Sequence, residues 1–178
     1  METSRRVWNT RNVALAALIA ALYAAYVFYF SVTSFQIVQV RVVDALLPLS
    51  ILFGPPAIMG LTLGVFVGNL LGSPFGPIDI VGGTIANFVA ATLAWYIGRR
   101  GFRGAWFMAI ALEIASVTLI VGSYLVVLTS SPGVPLWVGW AELLGGEVIA
   151  IGVIGYPLLR AVDRASKGNA LMRPQNPS

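Results

Sequence analysis

The 178-residue chain is 58% hydrophobic and only 10% charged, far from the roughly one quarter charged residues of a soluble domain, so lipid is the solvent for most of it. Its net charge of +4 comes from basic residues at the edges of hydrophobic runs, a placement that membrane orientation explains and a nucleic-acid-binding face does not. The absence of Cys and His removes thiol nucleophiles, disulfides, imidazole bases and the usual zinc, haem and iron–sulfur ligands. A chain of this length has room for roughly five to seven spans of about 20 residues, so one helical membrane domain over residues 1–164 is expected, followed by a polar, disordered cytoplasmic tail over 165–178.

The first hydrophobic run, 12–30, follows Arg5, Arg6 and Arg11. It is longer than the core of a signal peptide and ends in aromatic residues instead of a small-residue cleavage site, which predicts an uncleaved first span. Ala16, Ala20 and Ala24 share one stripe of it, and Ala17, Ala21 and Ala25 share the neighbouring stripe. Small residues four apart let another helix approach closely, and packing inside the bundle is their ordinary use.

The next segment, 31–41, contains Phe35-Gln36-Ile37-Val38-Gln39-Val40-Arg41-Val42. This alternation of apolar and polar residues predicts a short strand or hairpin arm, forming an ordered outer lid. Runs 42–53 and 57–71 are short, with Gly54-Pro55-Pro56 between them, so two full crossings compete with a broken helix or re-entrant hairpin. Runs 78–98, 105–128 and 137–159 complete six predicted spans. Gly72 to Pro77 and Ser130-Ser131-Pro132-Gly133 are turns by their Gly, Pro and Ser content.

Ten of the eleven basic residues fall into three clusters: Arg5, Arg6 and Arg11; Arg99, Arg100 and Arg103; Arg160, Arg164, Lys167 and Arg173. The positive-inside rule puts all three in the cytoplasm, which requires an even number of crossings between successive clusters and places both termini on that side. The predicted fold is an all-α integral membrane bundle of six helices.

A charged side chain at membrane depth costs roughly 2.5 to 3.5 kcal/mol on insertion scales, so each one needs a partner, a water-filled cavity or a ligand. The candidates are Arg41, Asp44, Asp79, Glu113, Glu142 and Glu147. At about 1.5 Å per residue, Glu147 lies about 20 Å outward of Arg160 and Asp79 about 30 Å outward of Arg99, so most of these groups converge on the outer half. Glu113 falls near the middle, about 15 Å from Arg103, and is expected to stand apart from that cluster. Arg41 and Asp44, three apart, are suited either to a simple ion pair or to ligand contact. Glu142 is expected to face the outer interface, whereas Glu147, within Gly145-Gly146-Glu147-Val148, is too deep to be solvated freely. Asn69 after Gly68, and Asn87 after Gly82-Gly83-Thr84, add amides that both donate and accept, in glycine-rich surroundings that permit close helix approach.

The stretch Gln39-Val40-Arg41-Val42-Val43-Asp44-Ala45-Leu46, with Pro48, then Gly60-Leu61-Thr62-Leu63-Gly64 through Gly68-Asn69-Leu70-Leu71-Gly72, then Asp79-Ile80-Val81-Gly82-Gly83-Thr84, resembles the queuosine-precursor transporter family QueT. Gly146-Glu147 and Gly155-Tyr156-Pro157-Leu158 look like that family's last helix. Two departures stand out: the family usually has Glu at Asp44 and Thr at Asn87. The resemblance implies the substrate-binding S component of an energy-coupling factor (ECF) importer in the plasma membrane. It further implies a six-helix bundle with an outward-facing pocket closed by the first outer loop.

The implied substrate is a 7-deazaguanine-like queuosine precursor, whose paired N–H donors suit a carboxylate. Glu147 is the first candidate for that contact, then Asp79 and Asp44, with Asn69 and Asn87 reading the ligand's carbonyl and ring-nitrogen edges. Arg41 would hold the lid or touch the ligand carbonyl. The alanine-rich first helix would dock on a transmembrane coupling subunit, and two partner ATPases would supply energy, since the chain has no phosphate-binding GxxxxGK[ST] loop. No cofactor or metal is implied. A solitary carrier, and an S component for a different vitamin, are the competing readings. A membrane enzyme lacks the His, Cys or metal constellation that acid–base or nucleophilic work would need.

Overall fold

A computed structural model describes residues 8–30, 41–129 and 133–168. Among these residues the structure is entirely helical. Helix α1 (Thr10–Tyr29) begins where the Asn9 side chain accepts a 2.8 Å hydrogen bond from the Asn12 backbone N–H, satisfying one of the donors that every helix N-terminus leaves open. A 3-10 turn (Val42–Leu46) leads into the short helix α2 (Leu49–Phe53). Helix α3 (Pro55–Gly72) and helix α4 (Pro77–Gly98) each start on a proline preceded by a glycine with positive φ, Gly54 and Gly76. Proline suits the first helical turn because its missing N–H would be unpaired there anyway. Helix α5 (Ala105–Thr129) follows. Helix α6 (Leu136–Glu147) passes through a π-helical stretch, Val148–Gly155, into helix α7 (Tyr156–Gly168).

Five of these helical units are long and apolar enough to cross a membrane: Thr10–Tyr29, Pro55–Gly72, Pro77–Gly98, Ala105–Leu128 and Leu136–Lys167. The remaining predicted span, 42–53, is a shorter apolar helical segment, broken between its 3-10 turn and α2 by Leu47 and Pro48. Its direction follows from its neighbours. Gly60 packs on Ala16, Gly64 on Ala20 and Tyr23, and Gly68 on Val27, so α1 and α3 run parallel. The chain must therefore return from the Gly68 end to the Gly60 end between them. Arg41 lies beside Asn69 near the end of α3, and Ile51 packs on Gly98 at the far end of α4, so residues 41–54 make most of that return.

Both ends of the described chain consequently lie at one end of the bundle, together with Arg11, Arg99, Arg100, Arg103, Arg160 and Arg164. The wall facing outward is apolar along its length, with Phe107 63% and Val127 72% exposed, as a lipid-facing surface is. The inner faces close on Tyr23, Leu47, Leu61, Val65, Ile151 and Leu159, all fully buried.

Three expectations change here. The strand predicted over 35–42 does not reach Val42, which opens the 3-10 turn; residues 35–40 and most of the outer lid lie outside the described residues, as do Arg5, Arg6, Arg173 and the tip of the third loop. Residues 165–168, predicted to begin the disordered tail, are helical, because α7 continues to Gly168. Lys167 pairs with Asp163 at 2.7 Å, one turn back, and Ser166 Oγ donates to the Asp163 carbonyl, local bonds that carry the helix past its apolar part. Residues 169–178 lie outside the described residues. The third change concerns the alanines. Ala16 and Ala20 are inner-face residues against α3, with Ala24 half-buried, whereas Ala17, Ala21 and Ala25 are exposed on the outer wall. The two stripes predicted for docking thus face different ways, because a single α-helix cannot turn neighbouring stripes to one internal partner and also leave both open.

Candidate functional site

The six site residues predicted from sequence are all buried and come together on the inner faces of four structural elements. Arg41 is 5% exposed, and Asp44, Asn69, Asp79, Asn87 and Glu147 are each 2% exposed or less. They form two connected layers.

The outer layer is built where α3 ends and α4 begins. Arg41 Nη2 donates to Asn69 Oδ1 at 2.7 Å, and Asn69 Nδ2 donates to the Asp79 backbone carbonyl at 3.0 Å. The Asp79 carboxylate is held from both sides: Ser73 Oγ donates to Oδ2 and Tyr124 OH donates to Oδ1, each at 2.6 Å. Ser73 Oγ in turn accepts from the Phe75 N–H at 3.1 Å, which ties the carboxylate to the α3–α4 turn. The amide of Asn69 lies against Gly83, where a Cβ would sit 2.7 Å from Nδ2. Glycine at that position gives the amide its place.

The inner layer centres on carboxyl groups. Asp44 sits in the 3-10 turn and accepts a hydrogen bond from the Tyr23 hydroxyl of α1. Its carboxyl group lies within hydrogen-bonding reach of Glu147, the last residue of α6 before the π-helical stretch. Asn87 of α4 lies beside Tyr23. Two carboxylates in contact repel strongly where the dielectric is low, and a proton or a pair of ligand N–H donors between them removes that repulsion. Glu147 Oε2 and Asn87 Nδ2 are buried without a hydrogen-bond partner among the described residues. So are Glu113 Oε2, Thr92 Oγ1 and Thr118 Oγ1; buried polar atoms are nearly always paired, so each of these needs a water or a ligand.

The π-helical stretch helps to set Glu147 opposite Asp44. Gly155 at its end packs on the Ala45 carbonyl and on Pro48, where a Cβ would come within 3.0 Å of both. Close apposition of this stretch and the 3-10 turn brings Glu147, the residue just before the stretch, near Asp44.

Glu113 differs from expectation. It is fully buried, accepts from Ser50 Oγ at 3.4 Å, and lies close enough to Asp44 and Glu147 to interact with them electrostatically. It belongs to the inner layer because 42–53 descends through the bundle and carries Ser50 to its depth, a path that counting residues along α5 could not reveal. Glu142 is half-buried on α6.

Sequence reasoning missed Tyr23, Tyr124, Ser73 and Ser50. The signal for the tyrosines was weak but physical: a tyrosine within an apolar helix must find a partner for its hydroxyl if it is buried. Tyr124→Phe keeps the ring and removes one of the two side-chain donors to Asp79. It is expected to weaken ligand binding roughly 5- to 30-fold, about 1 to 2 kcal/mol, measurable by isothermal titration. Unchanged affinity would show that Asp79 needs only Ser73.

Among the described residues no group of His, Cys, Asp or Glu is arranged to hold a metal ion. The chemistry on offer is recognition: oxygen acceptors from four buried carboxyl groups, amides that read both donor and acceptor edges, and one guanidinium.

Comparison with known proteins agrees with the sequence resemblance. The profile of the QueT transporter family matches residues 13–164, most of the chain and all of the helices that build the site. No curated protein and no solved structure matches it. A multi-pass helical membrane protein, with this match running from its first helix into its last, belongs to the QueT transporter family of S components, and is a transport subunit rather than an enzyme.

Proposed function

We propose that this chain is the substrate-binding subunit of an ATP-driven ECF-type importer for a queuosine precursor, a 7-deazaguanine-like base. The observation that carries the reading is the buried Asp44–Glu147 pair with Glu147 Oε2 and Asn87 Nδ2 unpartnered beside it. A guanine-like edge offers an N1–H and an exocyclic amine side by side, which one carboxylate accepts together. Glu147 takes that edge, Asp44 supports it, and Asn87 donates to a ring nitrogen or carbonyl. Arg41, Asn69 and Asp79 form the outer wall of the site. Asp44 and Asn87 depart from the family's usual Glu and Thr, and they tune the fit at this edge.

In this reading the chain crosses the plasma membrane six times, with residues 42–53 as the short second crossing. The arginine-rich end of the bundle is cytoplasmic, as the positive-inside rule requires. The exposed stripe Ala17, Ala21 and Ala25 is the docking face for a transmembrane coupling subunit that recruits two ATPases. Ala16, Ala20 and Ala24 shape the same helix from inside.

Thermal unfolding of the detergent-purified protein against 7-deazaguanines, queuine, guanine and common vitamins tests the substrate. A ligand at 100 times its dissociation constant stabilises by about 2.7 kcal/mol, and a selective rise in Tm with a deazaguanine is the expected result. A rise with an unrelated vitamin would keep the transport role and overturn the substrate. Recovery of a stable complex with a coupling subunit and an ATPase pair is expected on co-expression; substrate uptake into liposomes by the isolated chain would instead make it a solitary carrier.

A further inference from the structure

We propose that the groove between the α4–α5 turn and α7, at the arginine-rich end of the bundle, binds the headgroup of an anionic phospholipid. The groove encloses about 280 Å³ and is lined by Phe102, Trp106, Phe107, Tyr156, Arg160 and the backbone of intervening glycines. Gly101 and Gly104 both have positive φ, and a Cβ on either would meet nothing within 4 Å. The α4–α5 side of the groove is therefore open backbone.

Its charge is one-sided. Arg160 is the charged residue in the lining, and its guanidinium lies 5.8 Å from the Trp106 ring centre and 5.9 Å from that of Tyr156. Arg99, Arg100, Arg103 and Arg164 stand exposed at the same end of the bundle. Among the described residues no carboxylate pairs with any of these five arginines; Asp163, the acid of this region, is held by Lys167. A guanidinium backed by aromatic rings keeps its outward N–H groups for a planar or tetrahedral oxyanion.

The surroundings choose the source of that oxyanion. Trp106 and Phe107 lie at the first turn of the membrane-length helix α5, the depth where such side chains meet lipid headgroups. From the groove the surface continues onto the apolar wall, with Phe107 63% and Met108 50% exposed. Phe107 also packs on Tyr156, ring centres 4.9 Å apart, so the wall of the groove and the wall of the bundle are one surface. A free phosphate would use the arginine alone. A phospholipid uses both, its phosphate on Arg160 and its acyl chains along Phe107 and Met108, as basic pockets between membrane helices do for anionic lipids.

Native mass spectrometry of the full chain released from detergent, with phosphatidylglycerol or phosphatidylcholine added, tests the site. Preferential retention of one phosphatidylglycerol is expected, and Arg160→Gln should lower its affinity about tenfold or more through loss of a charge-assisted contact. Lys167→Gln, whose partner is Asp163, should leave retention unchanged and shows that overall charge is not the cause. Equal retention of both lipids, or undiminished retention by the Arg160→Gln protein, would overturn the proposal. So would displacement of the lipid by inorganic phosphate at matching concentration, which would make this a simple anion site. If Arg160→Gln keeps the lipid but loses a co-expressed coupling subunit, the groove is a protein-docking surface instead. None of these readouts depends on the transported substrate.

Discussion

Glu147→Gln is expected to weaken binding of the transported ligand by about 2 to 4 kcal/mol, roughly 30- to 900-fold, while leaving the free protein as stable as before or more so. The side chains are nearly isosteric, so packing around Glu147, 1% exposed, is preserved. What changes is polarity. The carboxylate oxygens that would accept a pair of ligand N–H groups become one acceptor and one donor, and the amide N–H₂ then faces a ligand donor. In the free protein the same change removes one of two carboxyl groups in contact, and the new amide donates to Asp44. Two adjacent buried carboxyl groups cannot both ionise cheaply, so a neutral amide in place of one removes that repulsion and leaves no uncompensated charge.

The two readouts must therefore move independently, affinity down by titration calorimetry and Tm level or up by thermal unfolding. An unchanged dissociation constant would remove Glu147 from the binding site. A fall in both would mean that the carboxylate serves the fold, not the ligand.

Gly64→Leu is expected to destabilise the bundle by about 3 kcal/mol and to lose ligand binding with it. A Cβ at Gly64 would sit 2.6 Å from the Cβ of Tyr23, 3.0 Å from the Ala20 carbonyl oxygen and 3.1 Å from the Ala20 Cα. These are backbone and stem atoms with no freedom to swing away, so α1 and α3 must separate. Membrane helices associate through close packing, without help from the hydrophobic effect between them, which makes separation costly. It also moves Tyr23, whose hydroxyl holds Asp44, so the inner layer loses its geometry. Gly145→Ala is the control, since a Cβ there meets nothing within 4 Å although Glu147 is two residues away. Replacing a helical glycine with alanine at an open position is neutral or favourable. Titration with a denaturing detergent, read by circular dichroism, is expected to show an early transition for Gly64→Leu alone. Equal midpoints for both variants would show that the α1–α3 contact is not tight.

The elements that sequence reasoning placed well share one property: their boundaries are punctuated by residues with fixed backbone preferences. Pro55 and Pro77 after glycines open α3 and α4 within two residues of the predicted starts, and Ala105 opens α5 as expected. The candidate site residues were conspicuous for a different reason. An ionisable or amide side chain is expensive in lipid, so Arg41, Asp44, Asn69, Asp79, Asn87 and Glu147 were conspicuous in a chain with only 10% charged residues. Glu113 was equally conspicuous, yet its grouping depended on Ser50 reaching it from another segment. The π-helical stretch Val148–Gly155 had no sequence signal, because a wider turn is decided by what packs against it.

By itself, then, the sequence determined the membrane environment, the all-helical class, the family resemblance and the set of polar residues that needed burial, because hydropathy and charge act locally along a chain. The tertiary structure decided which of those residues meet. It paired Asp44 with Glu147 across 103 positions of sequence, recruited Tyr23 and Tyr124 as hydroxyl donors, and turned Ala16 and Ala20 inward while leaving Ala17, Ala21 and Ala25 on the wall. It also set Arg160 beside Trp106 in a groove that neither segment forms alone. Contacts of that kind depend on helix direction and on rotation about each helix axis, and both are settled by close packing between elements, at positions such as Gly60, Gly64 and Gly155 where backbones touch.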